Sequence, residues 1–196
     1  MLDFVRTWLF PSACAGCDAP GPALCAACAP APRDAIAFAL DGIPAFALGA
    51  YEGALRKAVV AMKNGERDPL DVFAELLAAR APIGGTLVPL RTSRPRAAQR
   101  GFDQSVEIAR RLTSLRGVPF ADVLEKRGRA QAGLRRRERL SDASRFRLSR
   151  TRACPVSATL FDDVCTTGAT ARSAIAVLRG AGVDIRGIVV VARTAV

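Results

Sequence analysis

Residues 156–161, Val-Ser-Ala-Thr-Leu-Phe, form a short β-prone run, and residues 171–179 place apolar side chains at helical spacing. Between them stand Asp162, Asp163, Val164, Cys165, Thr166, Thr167, Gly168, Ala169 and Thr170. The order is strand, loop, helix. That order commits this part of the chain to an α/β arrangement, with the loop at the carboxyl end of a strand and the amino end of a helix. A helix N-terminus offers unpaired N–H groups and a positive dipole end, Gly168 permits a tight backbone path, and three threonine hydroxyls add donors suited to phosphate oxygens. The two aspartates would repel a phosphate. They are better placed to accept hydrogen bonds from sugar hydroxyls or to neighbour a Mg²⁺ ion. An acidic turn ahead of an ordinary threonine-capped helix writes similar letters without any ligand.

The rest of the chain extends the same pattern. Residues 45–51 read as a strand after a linker at residues 41–44, residues 53–63 and 69–80 as helices, and residues 86–90 as a strand. A loop carrying Arg91, Arg94 and Arg96 follows, and Asp103 then caps a helix running to Leu115. Residues 118–124 suggest a short strand, residues 127–152 carry many charges and no clean period, and residues 185–191 form a strongly β-branched strand. Alternating strands and helices predict a mostly parallel sheet with helices on both faces, in a domain spanning residues 45–196. In such a sheet ligands sit beyond the carboxyl ends of the strands, where the loops after Leu90 and after Phe161 both emerge.

Residues 1–40 read as a separate small module. Within it Cys14, Cys17, Cys25 and Cys28 form two Cys-x₂-Cys knuckles separated by seven residues, in a stretch rich in Pro, Ala and Gly with little core of its own. Four thiolates at this spacing suit a structural tetrahedral Zn²⁺ site, closed to substrate. A pair of disulfides is the competing arrangement, disfavoured in a reducing compartment, and loose cysteines in a disordered leader are another. Asp3, Arg6 and Pro11 interrupt the apolar start, which argues against a leader peptide, and no apolar run approaches the roughly 20 residues of a membrane span. A cytoplasmic protein is the expectation.

The net charge is +11, and all of the excess lies between residues 91 and 152, with 18 Arg or Lys against 6 Asp or Glu. Arg91, Arg94 and Arg100, with Gly101 allowing a close turn, follow a strand end and are positioned to meet a pyrophosphate; a solvated arginine surface is the plainer alternative. The same segment is a candidate electrostatic footprint for single-stranded DNA, although Phe102, Phe120 and Phe146 are its only rings. The chain has no histidine, which excludes histidine-based triads and general acid–base catalysis by histidine.

The string from Asp162 to Thr170 resembles the 5-phosphoribosyl-1-pyrophosphate (PRPP) signature of type I phosphoribosyltransferases at every fixed position, with Cys165 in the variable place. The order of cysteine knuckles, Tyr51-Glu52-Gly53 with Lys63, Arg100-Gly101-Phe102-Asp103-Gln104, Gln131-Ala132-Gly133-Leu134 with Arg139, and the Asp-Asp string is similar to the ComF/GntX family of competence-associated phosphoribosyltransferase-like proteins. The resemblance covers nearly the whole chain. It implies a type I phosphoribosyltransferase-like domain in which Asp162 and Asp163 are the catalytic pair that holds the ribose, with residues 166–170 around the 5′-phosphate. It also implies Mg²⁺ with PRPP, and a flexible loop around Gln131 and Arg139 that folds over the diphosphate. DNA uptake and competence-machinery proteins are the implied setting and partners. Where the family carries Asn, this chain has Asp103, an acceptor-only group in place of an amide. Three readings follow: a phosphoribosyltransferase with an unidentified acceptor, a single-stranded-DNA-binding accessory with a vestigial site, and a zinc-stabilised docking protein.

Overall fold

The structure is a computed structural model that describes residues 13–126 and 145–195. Its centre is a five-stranded mixed sheet in the order β1-β2-β7-β6-β3, built from β1 (Ile36–Leu40), β2 (Ile43–Ala50), β3 (Thr86–Pro89), β6 (Ser157–Cys165) and β7 (Asp184–Arg193). Only β1 with β2 is antiparallel; β2/β7, β7/β6 and β6/β3 are parallel. A separate two-stranded antiparallel ribbon joins β4 (Leu124–Lys126) to β5 (Phe146–Leu148).

Central β7 is buried without a break from Gly187 to Ala192, as expected of a parallel strand covered on both faces. Val189 and Val191 pack with Leu48 and Phe161 against α1 (Gly53–Lys63), α2 (Asp68–Arg80) and α4 (Gln104–Arg116). Ile188 and Val190 pack with Ala47 and Leu160 against α5 (Ala169–Gly180) and against Leu124 and Phe146 of the ribbon. The α/β architecture with a mostly parallel sheet and helices on both faces is therefore as the sequence predicts. Cys14 and Leu24 of the N-terminal module are buried in the first of these two cores, so the module is seated on the α1 side of the sheet.

Four local expectations are corrected. Residues 41–44 are not a linker: Asp41 and Gly42 take φ of 50° and 78° and turn a β-hairpin whose outer strand, β1, the sequence reading omitted. Alternating alanines in Ile-Ala-Phe-Ala-Leu conceal that strand, because alanine has low β-propensity. The arginine loop after β3 contains a further helix, α3 (Arg94–Arg100). It buries no residue and so has no apolar period to read; its signals were Pro95 in the first turn and left-handed Gly101 after the last. Residues 118–124 form only a bridge from Phe120 to Leu87, and the strand begins at Leu124. Finally, β6 continues through Asp162 to Cys165, because Asp162, Val164 and Cys165 are paired with Val190, Ala192 and Arg193 of β7. The true loop is only Thr166, Thr167 and Gly168.

Candidate functional site

The chain leaves β6 at Cys165, turns through Thr166, Thr167 and Gly168, and enters α5 at Ala169. Gly168 has φ of 77°, and a Cβ placed there would lie 2.6 Å from Leu40 Cδ1. The hairpin tip thus presses on the loop. Arg172, one turn into α5, donates from Nη1 to the Thr167 carbonyl at 2.7 Å and from Nε to both Asp41 oxygens at 3.1 Å. The loop is braced from behind, and at its front lies the first turn of α5, whose leading N–H groups have no acceptor within the helix; that of Ala169 donates to Thr167 Oγ1 at 3.4 Å. Gly168→Ala should therefore lower the melting temperature by several degrees and weaken anion binding at the loop, through left-handed strain and displacement of Leu40. Differential scanning fluorimetry with and without inorganic pyrophosphate checks this; an unchanged melting temperature and pyrophosphate response would contradict it.

Beside the loop opens a cavity of about 410 Å³. Asp162 and Asp163 line it from β6, Thr166 from the loop, Thr170 from α5, and Arg91, Arg96 and Arg100 from the segment after β3. Lys63 at the end of α1, Gln104 at the start of α4, Tyr51 and Lys126 complete the wall. A recess of about 90 Å³, bounded by Arg145, Cys165 and residues 166–171, adjoins it, and Asp162 lines both spaces. The structure thus brings the acidic pair, the threonine loop and three arginines to one place. Arg94 instead faces a neighbouring cavity of about 590 Å³ with Arg147 and Arg152, and Gly101 closes α3. Gln131 and Arg139 lie outside the described residues.

The acids differ in environment. Asp163 is buried; its Oδ2 stands 3.2 Å from Lys63 Nζ and accepts from Gln104 Nε2 at 3.0 Å, and its Oδ1 accepts from the Val164 N–H at 2.7 Å. Asp162 Oδ1 accepts from the Asp163 N–H at 2.9 Å. Desolvation of its carboxyl, then the charge of Asp163, push Asp162 well above the ordinary carboxylate range, although the residue as a whole keeps intermediate exposure. Burial and the same acid raise the Cys165 thiol, which holds it protonated and a poor nucleophile.

The basic segment is less bare than its composition suggests. Asp122, buried beneath it, takes both Arg91 and Arg152, the latter at 2.6 Å; Arg147 pairs with Glu125, and Arg111 with Asp71 and Glu107. Burial raises Asp122, but the hydrogen bonds from Arg91 and Arg152 outweigh that and hold it below the usual range. The stability from this cluster is present above the unfolded value of about 4 and is lost as pH falls through the lower folded value. Asp122→Asn should accordingly be more destabilising at pH 7 than near pH 3, as thermal melts across that range would show; equal losses at both pH values would refute the assignment. Asp122 and Lys126 escaped the sequence reading, and Tyr51 entered it only through the family resemblance, with no role at the cavity assigned to it. The pairing of Asp122 with arginines about 30 residues away on either side leaves no local signal.

Asp103 Oδ1 accepts from the Val106 N–H at 3.4 Å, capping α4, and its Oδ2 accepts from the Thr92 N–H at 3.1 Å. Both bonds need only an acceptor. The acid is thus accommodated where the family resemblance expects an amide.

In the N-terminal module the Sγ atoms of Cys14, Cys17, Cys25 and Cys28 lie within 4.8 Å of one another, and Cys17 and Cys25 are separated by 3.8 Å. That spacing matches the edge of a tetrahedron with metal–sulfur bonds of about 2.3 Å. Each knuckle closes on itself through an Asp18 or Ala29 N–H donating to the Cys14 or Cys25 carbonyl at 2.8 Å. The Cys25 N–H, foremost, and the Gly16 N–H donate to Cys14 Sγ and contribute to holding it down at about 6, whereas contact with the Cys25 thiol pushes Cys28 up to about 12. Four converging thiols, one already stabilised as thiolate, are a donor set that fits a soft divalent metal such as zinc.

No protein-family model matches the chain, and none of the curated proteins matches it. Among solved structures it is similar to the allosteric regulatory enzyme of purine biosynthesis (19% identity, TM-score 0.40) over 76% of this chain, and to adenine phosphoribosyltransferase from Leishmania tarentolae (13%, 0.41) over 66%. The chain spans 27% of the length of the first and 59% of the second. Among the described residues no helix is long and apolar enough to cross a membrane.

Proposed function

We propose that the chain binds PRPP with Mg²⁺ in the 410 Å³ cavity and transfers its phosphoribosyl group. One observation carries this reading: a threonine loop at a helix N-terminus, an acidic pair and several arginines converge at the carboxyl end of β6 in a parallel sheet. The 5′-phosphate sits on Thr166 to Thr170, and the carboxylate end of β6 faces the ribose hydroxyls. Arg96 and Arg100, with Arg91 anchored by Asp122, face the pyrophosphate. In the transfer the bond from C1′ to the pyrophosphate oxygen breaks, its electron pair leaves with the pyrophosphate, and the acceptor's lone pair bonds to C1′. Arginines and the N–H groups of the loop stabilise the charge that develops on the leaving oxygens. Mg²⁺ supplies further neutralisation there when bound, and the carboxylate of Asp162 is a hard oxygen donor of the kind that it favours. The resemblance to the ComF/GntX family supports incoming-DNA handling as the cellular setting, and the cysteine cluster supports structural zinc in the module. Cytoplasmic residence belongs to the same proposal.

Isothermal titration with PRPP and Mg²⁺ tests this directly. Micromolar binding that inorganic pyrophosphate competes away is expected; no detectable binding to the wild type would overturn the reading. A parallel titration with single-stranded DNA at several salt concentrations exposes the alternative, in which affinity falls steeply with salt and ignores PRPP.

A further inference from the structure

The doublet at the end of β6 is chemically unequal in this chain, and the inequality comes from two other elements. Lys63 is the last residue of α1, and Gln104 is the first of α4. Both reach the same oxygen of Asp163, Lys63 at 3.2 Å and Gln104 at 3.0 Å, while the Val164 N–H occupies the other. The Lys63 ammonium is itself held 5.8 Å from the centre of the Tyr51 ring. Three of the four or so acceptor positions of the Asp163 carboxylate are thus taken before any ligand arrives.

Gln104 shows how firmly this arrangement is imposed. It is 3% exposed, its Nε2 faces Asp163, and its Oε1 is buried with no hydrogen-bond partner among the described residues. Turning the amide over would set a carbonyl against a carboxylate, so the orphaned oxygen is the consequence of giving Asp163 a donor. Asp162, by contrast, accepts one backbone N–H among the described residues, and it lines both the large cavity, which Asp163 also borders, and the recess behind the phosphate loop.

We propose that Lys63 and Gln104 are positioning residues that immobilise Asp163 as a fixed wall, leaving Asp162 as the one carboxylate of the pair that meets the ligand's ribose hydroxyls. This rests on the PRPP reading and divides the labour within it. Asp163 acts through the backbone and charge beside Asp162 and touches no ligand atom. Its partner's charge then matters only because Asp163 is charged.

A double-mutant cycle tests the assignment by titration of PRPP and Mg²⁺ into Lys63→Met, Asp163→Asn, the two combined, Lys63→Arg and Asp162→Asn, with melting curves for each. Each neutral single variant at the Lys63–Asp163 pair strands its partner, the buried Asp163 or the half-buried Lys63, and should weaken binding about tenfold and lower the melting temperature. Lys63→Arg should retain most of the affinity, and the combined variant should recover to within about threefold of wild type, because no stranded charge remains. Asp162→Asn should lose binding in every background. If the combined variant is folded yet binds as weakly as Asp163→Asn, one of the pair contacts the ligand and the assignment is wrong. If the wild type itself binds no PRPP, the PRPP reading fails first and takes this inference with it.

Discussion

Asp162→Asn should sharply weaken PRPP binding while making the protein more stable at neutral pH. The expected loss of affinity is roughly two orders of magnitude, the scale of losing the hydrogen bonds to a pair of ribose hydroxyls. The gain in stability has a separate origin. Burial, with the Asp163 charge behind it, raises Asp162 in the folded chain above its unfolded value of about 4. Between those two values the folded state holds a proton that the unfolded state has released, so stability falls as pH rises, and above the folded value the penalty is complete. Asparagine removes the penalty. The variant should melt higher than wild type at pH 7 to 8, with the advantage vanishing below about pH 4. Calorimetric titration at pH 7.5 and melting curves from pH 3 to 8 measure both halves; unaltered PRPP affinity would sink the proposed role, and a variant that melts lower at neutral pH would contradict the burial argument.

The second large effect concerns the cysteine cluster. Cys25→Ser removes one of the four converging sulfur ligands, at the residue whose backbone N–H donates to Cys14 Sγ at 3.3 Å. Purified wild-type protein should carry about one zinc per chain, and the variant close to none. Structural zinc contributes about 10 to 16 kcal/mol to the folding of small peptides, more than a module of this size gains from its own core. Metal loss should therefore unfold the module and uncover the face of the domain where Cys14 and Leu24 pack with Leu48 and Leu55. A fall in melting temperature on the order of 10 °C is expected. Affinity for the metal should weaken as pH falls, since every ligand must shed a proton, and Cys28, raised to about 12 without metal, sheds its proton only in exchange for the ion. Elemental analysis with hydrogen exchange across residues 13–31 is the decisive measurement. Metal-free protein with unchanged protection there would end the zinc proposal.

Much of this architecture is written locally. The helix Gly53–Lys63 has the predicted bounds, and its face of Leu55, Ala58, Val59 and Met62 is the buried one. The N-cap role of Asp103 and the turn from β6 into α5 are equally local, since each depends on residues within a few positions. What escaped was set by partners elsewhere. β6 runs through two adjacent aspartates, which propensity places in a loop, because β7 hydrogen-bonds alongside them. α3 buries nothing, so periodicity is silent about it. The unequal environments of Asp162 and Asp163 depend on Lys63 and Gln104, which lie 100 and 59 residues from Asp163 in sequence. Identical neighbouring letters cannot announce that difference.

The turn at Asp41 and Gly42 changes how this protein is best engineered. A two-residue hairpin tip is ordinarily a safe place for an epitope tag, a fluorophore or a circularly permuted terminus. Here the tip carries Leu40 against Gly168, and Asp41 holds the guanidinium that grips the Thr167 carbonyl. Cargo inserted there would pull on the back of the phosphate loop, whereas the exposed turn at Gly117, after α4, makes no such contact among the described residues. The same connection means that replacing Asp41 would release the Arg172 guanidinium and loosen the loop from outside the cavity.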